Sequence, residues 1–413
     1  MKVVIAGAGI GGLTAALFLR RAGLDVRVFE STPEILPLGV GINVLPHATR
    51  ELTRLGLGPE LAQQGIPTSA LIYFNRFGQR IWSEPRGLNA GYRWPQYSIH
   101  RGRLQGLLLE AAQKLLGASN IVPGHHLTAF EQRGEEVVAT FSDKLTGREL
   151  ARESADLLVA ADGIHSCVRR HFYPDEGPPK FSGRILWRAL TEAAPFLDGR
   201  TMVMLGHGDQ KFIAYPICPK AAERGRSLVN WVAEINVGGN TPGKRDWNRK
   251  VDRAIFAPAF TSWQFDWLDA PSLIAGASEV FEFPMVDRDP VERWVFGRVA
   301  LLGDAAHPMY PVGSNGASQA ILDAAALAES LASSPRLEDA LRLYEEKRLP
   351  PTATVVQSNR KGGPEGVMQI VHERAPNGFS NLEEVISQQE LEEIAARYKQ
   401  VAGFDKEALN RKD

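Results

Sequence analysis

A chain of 413 residues holds two or three domains at roughly 150 residues each, which excludes a small disulfide-stapled scaffold. Apolar residues make up 44% and charged residues 23%, and 47 Lys and Arg nearly cancel 48 Asp and Glu, so nothing in the charge recruits a polyanion and no nucleic-acid partner is expected. There is no run of about 18 apolar residues to span a membrane, and Met1 leads into a strand-like run rather than a signal core, so a cytoplasmic location is expected.

In chain order, Lys2 to Ala6 reads as a short buried strand, followed by a glycine turn, an apolar-periodic helix from Ile10 to Arg21 and a second strand from Val26 to Glu30. This β-α-β unit is expected to begin a doubly wound parallel sheet. From Leu71 to Ile99 short alternating runs separated by Gly, Pro and Asn predict antiparallel strands, then a helix is predicted over Arg101 to Leu116 and a buried parallel-type strand over Asp156 to Ala160. Further strands are expected at Arg184 to Leu190, Phe212 to Ile217 and Ser227 to Ile235, and a buried one at Arg298 to Leu302. A helix is expected from Gly316 to Leu331, and the remainder reads as mostly helical. The fold class expected is α/β. A Rossmann-like nucleotide-binding domain (1–70, 101–180 and 285–360) is interrupted by a mixed or antiparallel-sheet substrate domain (71–100 and 181–284), and 361–413 form a helical C-terminal segment.

Three strings carry chemistry. Gly7-Ala-Gly-Ile-Gly-Gly12 fits GxGxxG between a strand and a helix, where Gly7, Gly9 and Gly12 let backbone N–H groups approach a pyrophosphate. Glu30, 18 residues after Gly12, ends the next strand where a carboxylate accepts from ribose hydroxyls. The glycines equally permit a tight turn and Glu30 equally suits a surface acid, but the strand-turn-helix context favours the nucleotide. Ala161-Asp162-Gly163-Ile164-His165-Ser166-Cys167-Val168-Arg169 follows a buried strand, so Asp162 lies at the sheet's carboxyl edge and also suits a helix cap. Gly303-Asp304 ends another strand, and a proline-stiffened glycine loop then opens a helix whose dipole suits negative charge on a flat ring. Cys167 and Cys218 form no CxxC pair and are expected as small buried hydrophobes. No metal site is expected. His307 is expected to be a packed, hydrogen-bonded histidine rather than a proton-transfer group.

In this order and spacing, the three strings resemble the single-component FAD-dependent aromatic hydroxylases, over about residues 1 to 360. The resemblance implies that Gly7, Gly9 and Gly12 hold the FAD pyrophosphate and Glu30 the adenosine ribose. It implies that Arg101 contacts FAD near the pyrophosphate, with Arg103 a close alternative, and that Leu127 offers backbone to the adenine. Asp304 would bind the ribitol or pyrophosphate region, Gly316 and Ala317 would face the flavin pyrimidine, and Asp162 and Arg169 belong to a motif associated with FAD and NAD(P)H. It also implies a flavin hydroperoxide as oxygenating species, NADH or NADPH as a transient reductant, dioxygen and a small aromatic substrate as partners, and hydroxylation with or without decarboxylation. The catalytic residues stay unknown, because the flavin carries the chemistry. A homodimer is a further expectation.

Within that family, Pro37-Leu-Gly-Val-Gly-Ile-Asn43, Trp82-Ser-Glu-Pro-Arg-Gly87, Pro95-Gln-Tyr-Ser-Ile-His-Arg101, Pro284-Met-Val-Asp-Arg-Asp-Pro290 and the run from Asp304 to Gln319 look most like phenazine hydroxylases, whereas the segment from about Gly362 shows no such likeness. Trp187, Arg188, Tyr215, Trp231, Met309 and Tyr310 are the candidates for the substrate pocket, since aromatic and Met side chains pack on planar rings and Arg188 suits a carboxylate. The alternatives are a non-catalytic protein keeping the FAD fold and another flavin oxidoreductase.

Overall fold

The computed structural model describes residues 1–37, 39–239 and 249–411. Leu38 of the Pro37–Asn43 string, residues 240–248 of the second strand region and residues 412–413 lie outside the described residues.

Strand Lys2–Ala6 is the centre of a six-stranded sheet. Its apolar run is buried on both faces, as a parallel strand flanked by parallel neighbours requires. The sheet order is Val295–Phe296, Val299–Leu301, Leu157–Ala160, Lys2–Ala6, Asp25–Phe29, Ile121–Val122, parallel throughout except for the first hairpin. Helix Ile10–Arg21 packs against helices Arg101–Leu116 and Gly316–Ser333. The carboxyl ends of three strands therefore converge below one helix N-terminus at Ile10 and another at Gly316, the place where ligands bind in such sheets. A three-stranded antiparallel meander, His126–Arg133, Glu136–Ser142 and Glu149–Ala155, precedes strand Leu157–Ala160.

An eight-stranded sheet forms the second layer, in the order Arg249–Lys250, Phe281–Asp287, Lys180–Ala193, Ser227–Asn236, Gln210–Pro216, Met202–Gly206, Ala70–Phe74, Arg80–Pro85. Parallel pairing of Met202–Leu205 with Leu71–Phe74 brings segments from far apart in the chain into this one sheet. Strand Tyr97–His100 does not join it, but pairs with Gly41–Val44 and Ile66–Pro67 in a small sheet of its own. Both faces of the large sheet are covered. One packs under Phe256, Phe260 and Leu273, and the other under C-terminal residues Val367, Met368, Val371 and Leu391. The chain after Gly316 is helical over Leu337–Arg360, Gly366–Arg374, Gln388–Ala402 and Lys406–Arg411. Among the described residues no helix is long and apolar enough to cross a membrane. Cys167 and Cys218 are free and only half-buried, because Cys167 opens a short helix at the surface and Cys218 precedes one.

Candidate active site

A cleft of about 390 Å³ lies between the two sheets, walled by Gly9 and Gly12 of the first turn, Arg101, Asp304, the loop after Met309, and the inner face of the large sheet. Gly7 has φ +105°, and a Cβ there would stand 2.3 Å from the carbonyl oxygen of Ala161; a Cβ on Gly12 would stand 2.0 Å from the carbonyl oxygen of Gly7. These two glycines are demanded by the turn itself. At Gly9 nothing lies within 4 Å of the added Cβ, so its bare backbone faces open space. Behind the turn, Glu30 Oε2 accepts from Ala8 N at 2.7 Å, and Oε1 accepts from Thr32 N at 2.8 Å and from the hydroxyls of Thr32 and Ser31. The carboxylate is thereby aimed, half-buried, beside the glycine turn.

Asp162 accepts from Cys167 N through Oδ2 at 2.8 Å, while its Oδ1 is buried with no partner, and burial raises its pKa. Its neighbours Ala161 and Gly163 line the cleft. Arg169 is 1% exposed and fully engaged: it donates to the carbonyls of Ala305 at 3.2 Å and Ala306 at 2.6 Å, to Asp289 O at 2.8 Å and to the Glu176 carboxylate. Its donors hold the Asp304 turn rather than a ligand.

Asp304 sits in that turn, Gly303–Ala305, and its carboxylate receives no hydrogen bond from the described residues. It opens into the cleft with protein walling its other sides; that desolvation raises its pKa, against the opposing charges of His307 and Arg101. His307, the packed histidine expected, shares the Asp323 carboxylate with Arg348: Nε2 lies 2.5 Å from Oδ2, and Arg348 Nε donates to Oδ1 at 2.7 Å. Gly303 N also donates to Asp323 Oδ2, at 3.1 Å. Burial alone would push the Asp323 carboxyl up, but its interactions with His307 and the Arg348 guanidinium bring it down to about 2. Arg101 lines the cleft, whereas Arg103 is exposed and donates to Gln64. Gly316 and Ala317 line the cleft at the N-terminus of helix Gly316–Ser333.

Cross-strand register fixes the floor. Leu186 and Arg188 share a face with Val232 and Glu234, which are paired with Ile213 and Lys211, and Met204 stands opposite Ile213. Arg188 donates to Gly41 O at 3.1 Å and lies beside Tyr215, while Asn230 Oδ1 accepts from Gly41 N at 2.7 Å; the Arg188 Nε is buried without a partner among the described residues. Burial lowers the Arg188 pKa and raises that of Tyr215. Met202, Met204, Met285 and Met309 complete an apolar, thioether-rich lining.

Trp187 and Trp231 do not face the cleft. Being one residue out of phase with Leu186, Arg188 and Val232, they point to the opposite side of the strand. There Trp187 stacks on Phe256 at 4.8 Å and donates to Glu282, and Trp231 donates to Thr191 Oγ1 at 3.0 Å. Tyr310 turns toward a second cavity beside Arg360 and Asn359. Leu127 buries its side chain in the core of the parallel sheet and does not line the cleft. Sequence reasoning missed a buried ionic cluster at the cleft's far end. Lys211 Nζ lies 3.3 Å from Glu234 Oε1 and pairs with Glu365, while Arg184 also approaches Glu234 at 3.3 Å. A charged residue inside an otherwise apolar strand, as at Lys211 and Glu234, is the signal that was available.

A family model described as an FAD binding domain matches residues 1–359. The chain is 46% identical over 361 residues to the phenazine 1,6-dicarboxylic acid hydroxylase PhzS of Lysobacter antibioticus, covering 87% of this chain and 89% of that one. It is 34% identical over 375 residues to the 3-amino-4-hydroxybenzoate 2-monooxygenase of Streptomyces cremeus, covering 87% and 86%. Among solved structures, HpxO of Klebsiella pneumoniae complexed with FAD and uric acid superposes with a TM-score of 0.75 at 25% identity, covering 98% of this chain and 96% of that one.

Proposed function

The chain belongs to the FAD-binding family of flavin-dependent aromatic hydroxylases, and from that premise we propose that it hydroxylates a planar N-heteroaromatic acid of the phenazine carboxylate class, consuming dioxygen and NADH or NADPH. The observation that carries the substrate reading is Arg188, a guanidinium whose buried Nε–H has no partner among the described residues, set in a thioether-lined floor across the cleft from the glycine turn.

The residues present suit FAD. The bare backbone at Gly9, the helix N-terminus at Ile10 and Arg101 offer donors and positive charge to a pyrophosphate, and Glu30 is aimed beside them for ribose hydroxyls. Asp304, a carboxylate with no donor among the described residues, suits the hydroxyl-rich chain of the cofactor, and the Gly316 and Ala317 backbone offers N–H groups to its ring. Asp162 supports the sheet edge through the Cys167 amide, and the backbone beside Leu127 remains the proposal for the adenine. FAD, once bound and reduced by the nicotinamide, supplies the oxygen-activating chemistry.

The chain's own work is to bind and orient. Arg188 fixes the substrate carboxylate, with Gly41 O accepting one of its N–H groups and Asn230 Oδ1 holding Gly41 through its amide. Met202, Met204, Ile213 and Met309 pack on the ring faces and exclude water from the reacting carbon. The test is NAD(P)H oxidation across phenazine, pyridine and benzoate carboxylates. Phenazine carboxylates are expected to stimulate it most, and the substrate reading fails if no ring acid stimulates turnover above the background of the FAD-loaded protein.

A further inference from the structure

The loop from Met309 to Asn315 lines the cleft through Met309, Pro311, Val312 and Ser314, and it carries consecutive positive φ values, +67° at Gly313 and +57° at Ser314. An L-residue such as Ser314 rarely adopts that conformation, so its surroundings must hold it there. They do so from the C-terminal part of the chain. Asn315 Nδ2 donates to the Tyr398 hydroxyl at 2.8 Å, and that hydroxyl stands within donating distance of Asn359 Oδ1 (2.9 Å) and Val312 O (3.3 Å). Asn359 Nδ2 donates to Tyr310 O at 3.1 Å, and Gly313 N donates to Glu365 Oε1 at 3.3 Å. Tyr398 is 5% exposed, and a Cβ on Gly313 would lie 2.0 Å from its hydroxyl oxygen, so the tyrosine and the glycine form a matched contact. Glu365 also pairs with Lys211, whose Nζ lies beside Glu234 on the cleft floor, so one set of contacts runs from the loop to the substrate end.

The FAD-domain match ends at residue 359, before both Glu365 and Tyr398. We propose that the segment containing them is part of the cofactor site, with Tyr398, seconded by Glu365, acting as a positioning residue that fixes the Val312–Asn315 backbone along the flavin side of the cleft. This rests on the FAD reading above.

The experiment uses the full-length protein, Tyr398→Phe, Glu365→Gln and Arg397→Ala, a control on the exposed side of the same helix. Hydrogen exchange at the 312–316 amides is followed with and without added FAD, alongside FAD affinity and the visible flavin spectrum. Tyr398→Phe is expected to keep its far-UV circular dichroism, to exchange those amides roughly tenfold faster even without FAD, to bind FAD roughly tenfold more weakly and to shift the flavin spectrum. Arg397→Ala should match the wild type. Wild-type exchange and wild-type FAD affinity in Tyr398→Phe would overturn the proposal, as would an equal effect in Arg397→Ala. If Tyr398→Phe does not fold, Glu365→Gln carries the same readouts with the same expected direction. Absence of FAD binding by the wild type would overturn the functional reading instead, and exchange in the FAD-free protein would still decide the loop-holding role.

Discussion

Arg188 has more donors than its protein neighbours use, and a substrate carboxylate is the natural acceptor for the remainder. Replacing it with Gln removes a charge-assisted hydrogen bond worth about 1.5–3 kcal/mol, so KM for an aromatic acid should rise roughly 10- to 150-fold while FAD affinity stays put. Steady-state kinetics beside an FAD titration separates the two effects. Arg188→Lys should fail to restore wild-type KM, since a point charge cannot reproduce the planar fork that bonds Gly41 O and leaves further donors for a carboxylate. Asp304→Asn addresses the opposite end of the cleft and should weaken FAD retention by a comparable factor with KM little changed, measured by flavin loss on dialysis. The Asp323 carboxylate is a stability device. Its folded pKa is depressed from 3.8 to about 2, so its stabilisation is present above about pH 4 and is lost as pH falls toward 2. In Asp323→Asn the denaturant midpoint should drop at pH 7, and the gap from wild type should narrow only below about pH 4.

At the scale of elements, Arg169 shows how a helix far from the cleft's opening shapes it. The six-residue helix Cys167–Phe172 is capped by Ser166 Oγ, which accepts from Arg169 N, and the Arg169 side chain then ties the turn bearing Asp304 to Glu176 and Asp289. Arg169→Met should cost about 2–6 kcal/mol, because it takes a donor from the buried carbonyls of Ala305 and Ala306, about 1–3 kcal/mol each, while Arg288 still pairs with Glu176. Urea unfolding reads the loss, and a change under 1 kcal/mol would refute it. The elements legible in the sequence were those with one dominant period or a full apolar run: strand Lys2–Ala6 and helices Ile10–Arg21 and Arg101–Leu116 have the predicted bounds. The meander of residues 126–155 was not read. Most of His126–Arg133 is exposed, and the register slips between Thr140 and Phe141, so neither burial nor alternation marks it clearly.

For the whole molecule, the large sheet decides which of the sequence candidates line the cleft. Its strands are apolar on both faces because Phe256 and Phe260 cover one and the C-terminal helices cover the other, so alternation alone could not say which face holds the cleft. Trp187 and Trp231 were consequently grouped with Arg188 and Tyr215, although they lie on the far side. The Lys211–Glu365 pair joins residues 154 positions apart, and no local pattern announces such a meeting. The glycine turn, Glu30 and Asp304 were legible because each lies at the end of a predicted strand, where the architecture itself puts ligands. Turnover of a phenazine carboxylate with FAD, NAD(P)H and isotopically labelled dioxygen, with the product analysed by mass spectrometry, tests directly whether this assembly inserts oxygen into an aromatic acid. One labelled oxygen atom is expected in the hydroxylated ring product; nicotinamide oxidation with no labelled aromatic product, across ring acids that stimulate it, would rule hydroxylation out.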